Sequence, residues 1–256
     1  MKQIDKTFKN GTAFIPFITG GDPDIETTIK LMYALQDAGA DAIEIGIPFS
    51  DPVAEGPVIE AASARALSNG CTVAQIFDMV ASVRGKIKIP ILFMTYYNPV
   101  FVYGVVKFVA RCLSVGIDGL IVTDLPFEER DELYIPCMAA GIELISLIAP
   151  TTEDRIPEIA VNSGGFLYCV SSLGVTGIRN TLDNSARHMI AQVRGVSDIP
   201  CAVGFGISTP VQAKEVAQFA DGVIVGSAIV KIAAVYGRDS VAPIKNFAKA
   251  IKESLV

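Results

Sequence analysis

The run DAIEIGI (41–47) carries one carboxylate, Glu44, in a setting that suits proton transfer. Strand alternation would place Ile43, Ile45 and Ile47 on one face and Ala42, Glu44 and Gly46 on the other. The isoleucines suit a face covered by helices, so Glu44 points the opposite way between two very small neighbours. A carboxylate stripped of water has a raised pKa and can act as acid or base near neutrality. The competing reading is a buried ion pair, but no neighbour on the same run offers a cation. The next segment, IPFSDPVAEGPVIE (47–60), holds three prolines and the acids Asp51, Glu55 and Glu60. A proline-stiffened loop can bring a second carboxylate to a fixed place. Glu55, between Ala54 and Gly56, is the candidate for that role, whereas Glu60 reads as a solvated acid.

A second cluster of chemistry-bearing features lies in the last third of the chain. SSLGVTG (171–177), GFGIS (204–208) and GSAIVK (226–231) each follow an apolar run. Glycines let backbone N–H groups approach a ligand closely, and a helix beginning at Ser227 would favour an anion at its N-terminus. Tyr168 shares a face with Phe166 and Val170, and Tyr96 ends the third apolar run; either ring can be core or face a ligand. His188, in the polar stretch TLDNSARHMI (181–190), reads as a surface residue.

The elements that must position these groups recur regularly. Eight apolar runs cover 13–19, 41–47, 89–95, 118–124, 143–149, 165–171, 199–205 and 221–227. Helical patterns separate them: Ile25, Ile29, Met32 and Leu35 share one face, Val105, Val109 and Cys112 another, and Val211, Val216 and Phe219 a looser third. Pro136 kinks or shortens the helix in which it falls. Strands joined through helices run parallel, and a chain of 256 residues holds about one α/β barrel. The expected fold is a single α/β (β/α)8 TIM-barrel domain over 1–256, with a short extra phosphate-binding helix after the eighth strand. An open doubly wound sheet is the alternative, but no GxGxxG follows the first run.

Composition narrows the function classes. Acids outnumber bases 27 to 21 with no basic block, which argues against nucleic acid as a partner. One histidine rules out a multi-histidine metal site, and no metal is expected. Five dispersed cysteines without a CxxC pair read as reduced thiols of a cytoplasmic protein. The uncharged stretch 89–106 is broken by Pro90, Asn98, Pro99 and Gly104, so it reads as strand, loop and helix start, not a membrane span.

Taken in order, PFITGGDP, IEIGIPFSDPVAEGP, TYYNPVF, TDLPFEE, SSLGVTG, GFGIS and VIVGSAIV resemble the tryptophan synthase alpha subunit family over about residues 13–231. The resemblance implies a lyase that splits indole-3-glycerol phosphate into indole and glyceraldehyde 3-phosphate without a cofactor of its own. It implies that Glu44 transfers protons and that Glu55 binds the indole N–H. Phe17, Tyr96, Ile121, Tyr168 and Ile224 match positions lining the indole pocket, and Thr176 lies where the family's threonine closes onto the second-strand loop. Gly177, Phe205, Gly206, Gly226 and Ser227 match the phosphate-binding positions. The implied partner is a pyridoxal-phosphate beta subunit in an alpha2beta2 heterotetramer. Pro48, Asp51, Pro52, Asn98, Phe101, Asp124, Pro126 and Glu128 would meet it, although Asp51 and Asp124 also suit plain caps.

One position departs from the family. Glu55 stands where an aspartate is typical, adding one methylene, about 1.5 Å of reach, to a geometry that tolerates errors of about 1 Å poorly. Either the loop backbone retreats or activity falls. The second outcome supports an alternative function, a catalytically weak subunit that docks onto and activates the beta subunit. Another phosphate-binding barrel lyase or isomerase is a third reading, but the strand-end lysine or paired aspartates common there are absent.

Overall fold

Eight β-branched runs separated by amphipathic segments form a parallel sheet that here closes on itself with its helices outside. The computed structural model describes residues 3–170, 185–204 and 206–256. Its strands are β1 (Ala13–Thr19), β2 (Ile43–Gly46), β3 (Ile91–Thr95), β4 (Gly119–Val122), β5 (Glu143–Ile148), β6 (Leu167–Val170), β7 (Cys201–Gly204) and β8 (Gly222–Val225). They pair in sequence order, and β1 closes on β8 through Ala13 opposite Gly222. Alternation divides the apolar residues as the sequence implied. Ala13, Ile15, Phe17, Leu92, Met94, Ile121 and Ile224 fill the barrel, and Ile43, Ile45, Ile47, Phe93 and Val203 pack under the helices.

The rim at the N-terminal ends of the strands is held by a repeated device. Asp41, just before β2, accepts from the Phe14 N–H of β1 at 2.7 Å, and its own N–H returns a bond to the Phe14 carbonyl at 2.9 Å. Asp118 treats Ile91 of β3 in the same way, at 2.9 Å in both directions. Asp221 does so with Cys201 of β7, at 2.8 and 2.9 Å. Each carboxylate also meets a cation, Lys252 at 2.6 Å, Arg84 at 3.2 Å and Arg194 at 3.6 Å respectively. These aspartates open three of the apolar runs but act through their side chains, which is why the regular ladder starts one or two residues later. Below them, buried Ile4 and the ring of Phe8, 5.3 Å from that of Phe166, close this end of the barrel.

One helix expectation needs correction. Val211 is 68 % exposed, and Ala213 and Val216 form the buried face of Pro210–Ala217, because Val211 falls in the first turn on the outward side. The helix Asp131–Ala140 continues past Pro136 and ends at Gly141, since burial of Leu133 and Cys137 outweighs one missing backbone donor. The stretch 89–106 resolves into β3 and the helix Tyr97–Tyr103, then a 95° break at Gly104 before the helix Val105–Val115. No single helix among the described residues is long and apolar enough to cross a membrane.

Candidate active site

Glu44 sits at the centre of β2, in register with Phe17 of β1 and Leu92 of β3, and its side chain enters the barrel. It is fully buried, and neither carboxylate oxygen has a hydrogen-bond partner among the described residues. Desolvation first, and the charge of Glu55 second, push its pKa up to about 8. Gly46 does not leave empty room beside it. A Cβ there would lie 2.6 Å from Phe17 Cζ, so the space belongs to the Phe17 ring.

The second carboxylate comes from the loop after β2. Burial raises the pKa of Glu55, opposed by the Tyr96 hydroxyl, which donates to Glu55 Oε2 at 2.8 Å. The same hydroxyl accepts from the Ala54 N–H at 3.0 Å. Beyond the loop, Pro57 opens the helix Pro57–Ser68, where proline fits because the first-turn donor has no partner anyway. Arg65 of that helix grips buried Asp22, after β1, through two bonds of 2.9 Å. Glu60 is solvent-exposed.

One pocket joins both carboxylates. Phe17, Tyr168 and Ile224 form apolar walls, and Gly206, Gly226 and Ser227 stand on the side of β7 and β8. Ser227 starts a ten-residue helix, Ser227–Tyr236, with no acidic residue in its first turn, so its unpaired N–H groups suit an anion. Tyr96 and Ile121 do not line the pocket: Tyr96 braces the loop, and Ile121 belongs to the packed barrel interior. Thr176, Gly177 and Phe205 lie outside the described residues. Sequence reasoning missed Ala54, Ile59, Met94, Thr123 and Ile207 as lining. Inward alternation on β3 would have found Met94; nothing in the local pattern marks Ile59.

Tyr168 is shaped by Gly204, two residues along β7 from its register partner Ala202. A Cβ on Gly204 would stand 2.5 Å from its hydroxyl and 2.6 Å from its ring, so only glycine lets the ring lie where it does. Gly204→Ala should push the ring into the pocket, cost about 1–3 kcal/mol in urea denaturation, and raise KM for a ligand held there. Unchanged stability and KM would show that the ring has another place to go.

The remaining candidates divide between the rim and the surface. Pro48 and Asn98 border one groove, and Asn98, Phe101, Asp124 and Pro126 border a second. Phe101 and Val102 beside them are 62 % and 76 % exposed. Asp51, Pro52 and Glu128 line neither groove; Asp51 accepts from the Ser50 hydroxyl and Glu128 pairs with Arg155 at 2.6 Å. Asp124 is a cap, accepting from the Tyr97 N–H at 2.7 Å. His188 is exposed and contacts Glu153 at 3.0 Å, and all five cysteines are buried, free thiols.

Closed barrel, buried acid pair and anion-suited helix end together define an enzyme of the β/α-barrel class. Residues 4–254 match the family model for the tryptophan synthase alpha chain. The alpha chain of Lacticaseibacillus casei is 45 % identical over 98 % of this chain and 95 % of its own length. That of Thermoanaerobacter pseudethanolicus is 45 % identical over the whole of both. A solved structure of the tryptophan synthase a2b2 complex from Pyrococcus furiosus superposes with a TM-score of 0.88 at 37 % identity, covering 94 % of this chain and 98 % of its counterpart. The chain belongs to the tryptophan synthase alpha chain family.

Proposed function

We propose that the protein cleaves indole-3-glycerol phosphate to indole and glyceraldehyde 3-phosphate. The observation that carries this reading is the uncompensated Glu44 carboxyl inside a pocket that also holds Glu55 and the N-terminus at Ser227. With a pKa near 8, Glu44 is mostly protonated at neutral pH and can deliver its proton to C3 of the indole. The ring becomes a cationic indolenine, whose N–H faces the Glu55 carboxylate. Glu44, now ionised, takes the proton of the adjacent side-chain hydroxyl. The carbon–carbon bond then breaks, its electrons return to the indolenine, and the hydroxyl carbon leaves as the aldehyde.

Phe17, Tyr168 and Ile224 would hold the indole, with Ile121 in the same interior cluster and Tyr96 holding the loop that carries Glu55. Gly206, Gly226 and Ser227, with Gly177 and Phe205 on the family match, would hold the phosphate, and Thr176 would meet the loop carboxylate. The steps are proton transfers by carboxylates and call for no cofactor in this chain. The protein would work in the cytoplasm beside a pyridoxal-phosphate beta subunit, in an alpha2beta2 assembly, as the Pyrococcus complex suggests. Pro48, Asp51, Pro52, Asn98, Phe101, Asp124, Pro126 and Glu128 would form the docking surface; the exposed apolar side chains beside them support that reading. The test is glyceraldehyde 3-phosphate release from indole-3-glycerol phosphate, by the chain alone and with its beta partner. Release that rises with the partner is expected. No release in either case would overturn the lyase reading in favour of a docking and activating subunit.

A further inference from the structure

Glu55 is one methylene longer than the aspartate that the family resemblance implies at its position, and the structure gives that extra length a use. Its Oε2 reaches the Tyr96 hydroxyl at 2.8 Å, while that hydroxyl accepts from the Ala54 N–H at 3.0 Å. One phenol therefore ties two consecutive loop residues to the end of β3. The phenol is itself fixed: Tyr96 is 2 % exposed, the Phe49 ring lies 5.3 Å away, and the next peptide is pinned by the bond from Tyr97 N–H to Asp124 Oδ1. We propose that Tyr96 is a positioning residue, whose hydroxyl places the longer Glu55 carboxylate for the reaction. This rests on the reading of Glu55 as the carboxylate that faces the indole N–H.

The hydroxyl has one proton, given to Glu55, and its lone pairs receive the Ala54 N–H. The arrangement favours an ionised Glu55, the form an indolenine cation needs. An aspartate at position 55 would fall about 1.5 Å short of the phenol, a misplacement large enough to matter for a reacting geometry.

A double-mutant cycle tests the proposal, using Tyr96→Phe, Glu55→Asp and the pair, in complex with the beta subunit. Tyr96→Phe should lower kcat by about 10- to 100-fold with KM changed less than about twofold, since the carboxylate is misplaced and not removed. In the Glu55→Asp background the same change should cost less than about threefold, because the brace is already out of reach. Equal factors in both backgrounds, or an unchanged kcat for Tyr96→Phe, would overturn the proposal. A second readout does not depend on turnover. Carboxyl carbon NMR titration, with Glu55 assigned by its loss in Glu55→Gln, should show the Glu55 pKa moving upward in Tyr96→Phe, because the bond that lowers it is gone. No upward movement would refute the brace even in an active enzyme. A parent enzyme without turnover but with that shift would refute the lyase reading and leave the brace standing.

Discussion

Glu44→Gln is expected to abolish turnover, by about 10³-fold or more, while making the protein more stable as the pH rises. The loss of turnover follows from removing the buried carboxyl that, in the proposed reaction, gives a proton to carbon and takes one from oxygen. The gain in stability follows from linkage. The carboxyl titrates near 8 in the fold and near 4.5 when unfolded. Between those values the folded state holds the extra proton, so stability is fully present below the lower value. It falls as pH rises through the window, by about 1.4 kcal/mol per pH unit at the limit. Glutamine has the same size and no proton to lose. Melting temperatures at pH 5, 6.5 and 8 should therefore show a gap between variant and parent that opens with pH. A gap independent of pH, or near-normal turnover, would mean that Glu44 is neither desolvated nor catalytic.

Glu55→Gln should reduce kcat by about 10²-fold and also move the alkaline limb of the pH profile. The amide keeps the size and can still accept from Tyr96, but it cannot balance a developing cation. Its second effect falls on Glu44, whose pKa is raised by burial first and by the Glu55 charge second. Removing that charge lowers the Glu44 pKa. Since Glu44 must begin protonated, kcat/KM should start to decline at a lower pH than in the parent. A limb that stays put would show that the two carboxylates do not sense each other; a limb that moves upward would reverse the assignment of acid and counter-charge.

The barrel and the position of Glu44 were legible because both depend on local periodicity. Eight apolar runs and the alternation of Ala42, Glu44 and Gly46 carry that information with no need for long-range geometry. The helix starting at Ser227 was readable for the same reason, since a glycine–serine pair after an apolar run marks a helix start. What the sequence concealed depends on contacts between distant segments. The Tyr96 hydroxyl meets residues more than 40 positions away, and Phe17, not solvent, occupies the room beside Gly46. Ile59 lines the pocket because it lies on the buried face of the helix Pro57–Ser68, and Val211 turned outward because helix phase in the first turn overrode an apolar pattern.

The aspartates at the closed end of the barrel divide the molecule into units. Each joins two consecutive strands, β1 with β2, β3 with β4 and β7 with β8. In the remaining pair Gly164 and Gly165 precede β6, and a side chain on Gly164 would collide with the Glu143 carboxylate. Such spacing describes a modular ring, in which three of four segments carry the same fastening and the fourth has replaced it. The fastening of the first segment also receives Lys252 of the helix Val241–Ser254, so one carboxylate ties the start of the ring to a helix from its far end in sequence.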